Sequence, residues 1–193
     1  MSSQPAPAVH SVHFYDEQEA LIRRLKGVVA SGLEIGNSVI IVATEEHRTE
    51  LKKTLEKSGI DIRAYERRGQ LVLYDARETL DGFMMKGMPN RGRFLSTVGS
   101  MLAEAKKSAR TSGQGLTVFG EMVAVLWEEG NKLGAIQLEE FWNDLLNDRA
   151  FHLHCAYPRK NFTDGDADGL AAICSAHSHV IGETRAVKPA LVQ

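Results

Sequence analysis

The chain has 193 residues, enough for one domain with a sizeable core and short for two, and its 43% hydrophobic and 25% charged content is that of a globular protein, not a disordered one. A net charge of -2 and a pI near 6.4 supply no overall positive field for nucleic acid or an anionic membrane. The densest basic cluster, Arg63, Arg67 and Arg68, is broken by Glu66 and flanked by Asp61, the pattern of a solvated face. No run of eighteen apolar residues occurs, and "MSSQPAPAV" has neither the charged start nor the apolar stretch of a secretory signal. Only Cys155 and Cys174 are present, without a C-x-x-C pair, which argues against a disulfide framework and fits a reducing compartment. A cytoplasmic protein is expected.

Residues 1–8, rich in Ser, Pro and Ala, read as a disordered arm, and residues 183–193 as a tail, leaving 9–182 as the folded unit. "VHSVHFY" alternates like a strand and ends at Asp16, a candidate helix cap with Glu19 three residues on. Leu21, Ile22, Leu25, Val28 and Val29 then follow helical spacing. "SVIIVA" is a continuous apolar run, as in a strand covered on both faces, with Thr44 as a cap for the next helix and Gly59 as its stop. "QLVLYDA" reads as a third strand, and after a loop containing "KGMPNRGR" a long helix carries Phe94, Val98, Met101, Leu102 and Ala105 on one side. "GLTVFG" is a fourth strand, "EMVAVLWEEG" and "KLGAIQLEEFWNDLLND" are helices, "FHLHCAYP" is a fifth strand, and "DADGLAAICSAHSHVIG" a last helix. Strands alternating with helices imply a three-layer α/β domain with a mostly parallel sheet covered on both faces.

Ligands in such sheets bind beyond the carboxyl ends of the strands, which here carry Tyr15, Thr44, Asp75, Glu121 and Tyr157. The junction "VATEEHRTEL" lacks the glycines and lysine of a phosphate-binding loop, and Glu45 and Glu46 stand where a phosphate would meet carboxylates. "GLEIG" precedes a strand instead of following one, so it is no dinucleotide fingerprint. No G-x-S-x-G occurs, and Cys155 inside an apolar strand reads as a small hydrophobe. His152 and His154 share one strand face, and Cys174 and His177 one helix face, a conceivable N/S metal set; yet Cys155 points to the other side of its strand, and the group reads as satisfied or surface histidines. No metal, cofactor or catalytic residue is assigned.

The richest stretch is 120–157. Trp127 and Trp142 fit core-facing stripes by spacing, whereas Glu121 stands at a strand end and a helix start, where a carboxylate gains from exposed amides by roughly 0.3–1 kcal/mol. "VHFYDEQEAL", "GNSVIIVATEEHRTEL", "GQLVLYDARETLDGFM", "VFGEMVAVLWEEGN", "LEEFWNDL", "FHLHCAYP" and "AICSAHSHVIG" occur in that order. In this the chain resembles the MEDS domain, the sensory domain of methanogen and methylotroph regulators that includes a dichloromethane-responsive repressor, over about residues 10–182.

The resemblance implies a RecA- or KaiC-like core without a working phosphate loop and a non-catalytic role in sensing simple hydrocarbon derivatives. It places the family's polar and aromatic motif positions on His13, Tyr15, Glu121, Trp127, Glu139, Trp142, Asn143 and Tyr157. A small organic ligand is then expected among Trp127, Trp142 and Tyr157, with His13, Glu121 or Asn143 holding its polar end. Family members usually carry an output module such as a DNA-binding domain or a histidine kinase. Here only residues 183–193 follow Gly182, so the expected partner is a separate histidine kinase or transcription regulator, unless the chain is a piece of a longer one. Direct nucleic-acid contact is not expected; self-association is, since RecA-type cores assemble through subunit faces. The competing reading is a degenerate ATPase-like scaffold that binds proteins and no ligand.

Overall fold

Six strands hydrogen-bond in parallel in the computed structural model, which describes residues 8–108, 115–162 and 164–182. Apart from Ala8, the expected N-terminal arm lies outside the described residues, as does the tail. In chain order the elements are β1 (Val9–Tyr15), α1 (Gln18–Glu34), β2 (Ser38–Ala43), α2 (Glu45–Lys57), α3 (Ile62–Arg67), β3 (Leu71–Asp75) and α4 (Ala76–Asp81). There follow the short strands β4 (Met84–Met85) and β5 (Met88–Pro89), then α5 (Arg91–Lys107), β6 (Leu116–Gly120), α6 (Met122–Glu128), α7 (Lys132–Asp148) and β7 (His152–Pro158). Two single 3-10 turns lead to α8 (Ala167–Ala176) and β8 (His179–Ile181). The sheet order is β3-β2-β6-β7-β1-β8, while β4 and β5 form a separate antiparallel hairpin.

Right-handed crossovers assign each helix to a face. Connections that move toward the β3 edge put α1, α2 and α3 on one side; those that move toward β8 put α4 to α8 on the other. Side-chain alternation agrees. Val39, Ile41 and Ala43 pack with Leu25, Leu51 and Leu55, whereas Ile40 and Val42 pack with Phe94, Val98 and Trp142. All six residues of β2 are therefore buried, as its continuous apolar run predicts.

The structure corrects several boundaries. The capping box expected at Asp16 does not form: α1 starts after Glu17 with no side-chain cap, and Asp16 instead pairs with Arg159 at 3.2 Å. Thr44 occupies the N-cap of α2, but its hydroxyl makes no capping bond. Gly59 does mark the stop, at φ +79° just past Lys57. The last helix ends at Ala176 instead of running to Gly182, because His177 turns extended and the chain joins the sheet as β8, pairing Ser11 with His179. In the "KGMPNRGR" loop, Lys86 and Gly87 adopt positive φ and turn the β4–β5 hairpin. The short helices α3 and α4 are capped by Asp61 and Asp75, whose carboxylates accept backbone N–H bonds.

Helix α1 crosses the sheet closely at Gly32. A Cβ there would lie 2.7 Å from Val39 Cγ2 and 3.3 Å from Thr117 Oγ1. Overpacking of about 1–3 kcal/mol then opposes a helix-propensity gain of about 1 kcal/mol. Gly32→Ala is expected to cost up to a net ~2 kcal/mol of stability, read as a lower urea midpoint at unchanged slope; a midpoint at or above wild type would show that α1 has room to shift.

Candidate functional site at the strand ends

From β2 the chain goes on to β3, and from the adjacent β6 to β7, in the opposite direction. Helices α2 and α6 therefore leave on opposite faces and open a crevice between the carboxyl ends of β2 and β6, the switch point of the sheet. Glu121 sits at its floor, only 4% exposed. Its N–H donates to the Val42 carbonyl at 3.0 Å, continuing the β2–β6 ladder by one residue. Although it occupies the N-cap position of α6, its side chain makes no capping bond. The carboxylate turns to the neighbouring junction instead, where Oε2 accepts the Thr44 N–H at 3.2 Å and His47 Nδ1 lies 2.7 Å from Oε1.

These groups line a cleft of about 440 Å³ together with Tyr15, Glu46, Val125 and Glu128. Burial works to lower the His47 pKa, but the hydrogen bond and charge of Glu121, helped by Glu46 and Glu128, carry it above the ordinary 6.5. Burial, then Glu121 and Glu128, push the Tyr15 phenol upward, so it stays a neutral donor. A larger groove of about 760 Å³ runs between α1 and α2, but its rim is surface charge such as Glu19, Glu45, Glu50 and Lys53.

A second polar group lies on the α7 and α8 side of the sheet, sealed from solvent except at the half-buried Asn143. His10 projects from β1, Cys155 from its register neighbourhood on β7, Glu139 and Asn143 from α7, and His177 from the end of α8. Glu139 is 0% exposed; the Tyr157 hydroxyl donates to its Oε1 at 2.8 Å, and His10 Nε2 stands 3.3 Å from its Oε2. Burial opposes the charge, yet His177 and His10 when protonated, and the Tyr157 hydroxyl, hold the Glu139 carboxyl below its usual pKa. Burial and Glu139 together drive the Cys155 thiol and the Tyr157 phenol well up.

Of the eight residues picked out by the resemblance, Tyr15 and Glu121 meet at the cleft, and Glu139, Asn143 and Tyr157 meet in the sealed group. His13 joins neither; it faces the α1 side near Arg23 and Arg159. Trp142 stands edge-on to Phe94 and Phe151, and Trp127 packs on Phe162 and Tyr157 while its indole N–H donates to the Asn161 carbonyl. The histidine and cysteine set weighed from spacing is split by the sheet: His154 bonds Ser11 on the α1 face, where burial and nearby cations lower its pKa to about 4, whereas His177 lies on the opposite face. Sequence reasoning missed His47 and His10. "TEEH" places His47 four residues after the last residue of β2, and the alternation of "VHSVH" separates His10 from Ser11, but only the fold supplies their partners.

The open cleft lies at the switch point of the parallel sheet, the place where open α/β folds in general take ligands, and one buried carboxylate floors it. A family model described as MEDS, the methanogen/methylotroph, DcmR sensory domain, matches residues 9–178, and the chain belongs to that family. No curated protein matched the chain. Among the described residues no helix is long and apolar enough to cross a membrane.

Because the His47 pKa is raised in the folded protein, its pair with Glu121 stabilises fully below the ordinary 6.5 and loses that contribution as pH rises through the raised value. His47→Asn should therefore cost about 1–2 kcal/mol just below pH 6.5 and progressively less in alkali. Urea unfolding of both proteins across pH tests this; a cost that grows with pH would contradict the pairing.

Proposed function

We propose that this domain is a non-catalytic sensor that takes a small organic ligand, of the hydrocarbon-derivative kind, into the cleft at the β2 and β6 ends. It signals to a separate histidine kinase or transcription regulator. The observation that carries this reading is Glu121: a buried carboxylate at the switch point that declines the capping role open to it and bridges the two faces of the crevice through Thr44 and His47. Tyr15 and His47 offer polar contacts beside it, and Ala124 and Val125 an apolar wall. Trp127, on the α6 wall, is held in place by Tyr157 and Phe162, whereas His13, Glu139, Trp142 and Asn143 do not line the cleft. Membership of a sensory family supports the reading, as do Glu45 and Glu46 in the first turn of α2, which oppose a phosphate and fit a RecA- or KaiC-like core that has lost its phosphate loop.

A ligand that binds only the folded state at a hundred times its Kd adds about 2.7 kcal/mol of stability. Thermal unfolding in the presence of short alcohols and chlorinated one-carbon compounds should reveal at least one upward shift, and Glu121→Gln, with its helical signal intact, should abolish that shift. Either the same shift in the variant or no shift across the series in folded wild type would remove the cleft from consideration.

A further inference from the structure

With its two imidazoles neutral, the sealed group between the sheet and helices α7 and α8 has a proton inventory that does not close by hydrogen bonding. His177 Nδ1 lies 2.7 Å from the Ile173 carbonyl, an oxygen that only accepts, so Nδ1 carries the proton and Nε2 is left with a bare lone pair. Asn143 Nδ2 donates to the Ala176 carbonyl at 2.9 Å, which orients Oδ1 as the acceptor facing His10 Nδ1 at 2.8 Å. His10 is thereby fixed in the same tautomer, with Nε2 bare. Both bare nitrogens point at Glu139 Oε2, at 3.3 Å and 3.5 Å, and Cys155 Sγ stands 3.4 Å from His10 Nε2 and 3.6 Å from that same oxygen. Three acceptors thus converge with a single thiol proton among them, and His177 Nε2, on a side chain with no exposed surface, has no hydrogen-bond partner among the described residues. Such a group costs about 1–3 kcal/mol unless something positive satisfies it.

We propose that His10, Glu139, Cys155 and His177 form a binding site for one divalent transition-metal ion of the zinc class. The four donor atoms all lie within 4.8 Å of one another. A tetrahedral ion with bonds of about 2.0–2.3 Å has ligand-to-ligand edges of roughly 3.3–3.7 Å, and the four separations above fall in that range. The outer partners are those a metal site needs: each imidazole gives its far N–H to a carbonyl oxygen, and Tyr157 binds the remaining oxygen of Glu139. Two imidazoles, one thiolate and one carboxylate suit zinc and its analogue cobalt better than magnesium or calcium. Loading transfers the Cys155 thiol proton to solvent and forms the sulfur–metal bond in its place. All four positions are protein donors, which is the composition of a closed structural site. It fastens β1, β7, α7 and the turn between α8 and β8 at one point, so the last two elements of the domain are tied to the sheet by the ion. The site is independent of the ligand reading of the cleft.

The test is titration of chelator-treated full-length protein with Co2+. One equivalent should give the intense visible bands of a tetrahedral ion and a near-ultraviolet sulfur-to-cobalt band, both displaced by Zn2+, and Zn2+ should raise the thermal midpoint of the stripped protein. Cys155→Ser should lose the sulfur band, Cys174→Ser should keep it, and Asn143→Leu should weaken Co2+ binding about 10–100-fold through the lost anchor of His10. Stripped, folded wild type that takes up no Co2+, or binds it without the sulfur band, overturns the proposal without reference to any variant; so does a band that survives Cys155→Ser or disappears with Cys174→Ser.

Discussion

The right-handed crossover is the constraint on which this molecule depends. Strand β1 lies fifth in the sheet and the next strand, β2, second, so α1 must pass back across β7 and β6 on one face. Every later return toward β8 must then use the other face. The single reversal in direction, at β2 and β6, opens the cleft; the stacking of α7 and α8 over β7 and β1 closes the sealed group. Both polar places in the domain follow from one handedness rule applied to one strand order.

The two places treat a buried carboxylate in opposite ways. Isolating a charge from water costs several kcal/mol unless partners replace the lost hydration. Glu121 keeps one side on the cleft and takes a backbone N–H and an imidazole on the other. Its surroundings leave room for exchange with a solute. Glu139 has no exposure, and the Tyr157 hydroxyl is its firm donor among the described residues; its other oxygen faces two imidazoles and a thiol. Exchange is not possible there without opening α7 or α8, so what that group holds it holds as part of the fold.

Much of this architecture is legible in the sequence: "SVIIVA" is a continuous apolar run because both of its faces are covered, "VHSVHFY" alternates, and both are strands to the residue. The region after Ala176 is not, because His179–Ile181 is a short edge strand whose burial pattern is mostly exposed and whose identity comes only from pairing with β1. Glu121 shows the same boundary within a site. Its location at a strand end and helix start follows from pattern, but a carboxylate at a helix start has an ordinary reason to be there, and only strand order reveals that Thr44 and His47 stand next to it. The histidines of β7 are clearer still. Period-two alternation separates His154 from Cys155, and it also carries Cys155 to His10 across the β1–β7 register, a meeting that two segments some 145 residues apart cannot announce.

The walls of the cleft are not equally held. In α6, the six residues Met122 to Trp127 are all buried, and Trp127 is pinned by its indole bond and by the aromatic rings of Tyr157 and Phe162. In α2, thirteen residues long, only Leu51 and Leu55 are buried. Its start is tethered by polar contacts alone: His47 to Glu121, and Arg48 to the Ala43 carbonyl and to Asp75 at 2.6 Å. A ligand changes a conformational equilibrium only by binding one arrangement better than another. In this cleft the arrangement that costs least to alter is the seat of α2, because displacing α6 would open an apolar core whereas displacing the α2 start exchanges polar contacts for water. A solute that competed with His47 for Glu121 would therefore act on the same bond that seats α2, on the face of the sheet that also carries α1 and α3.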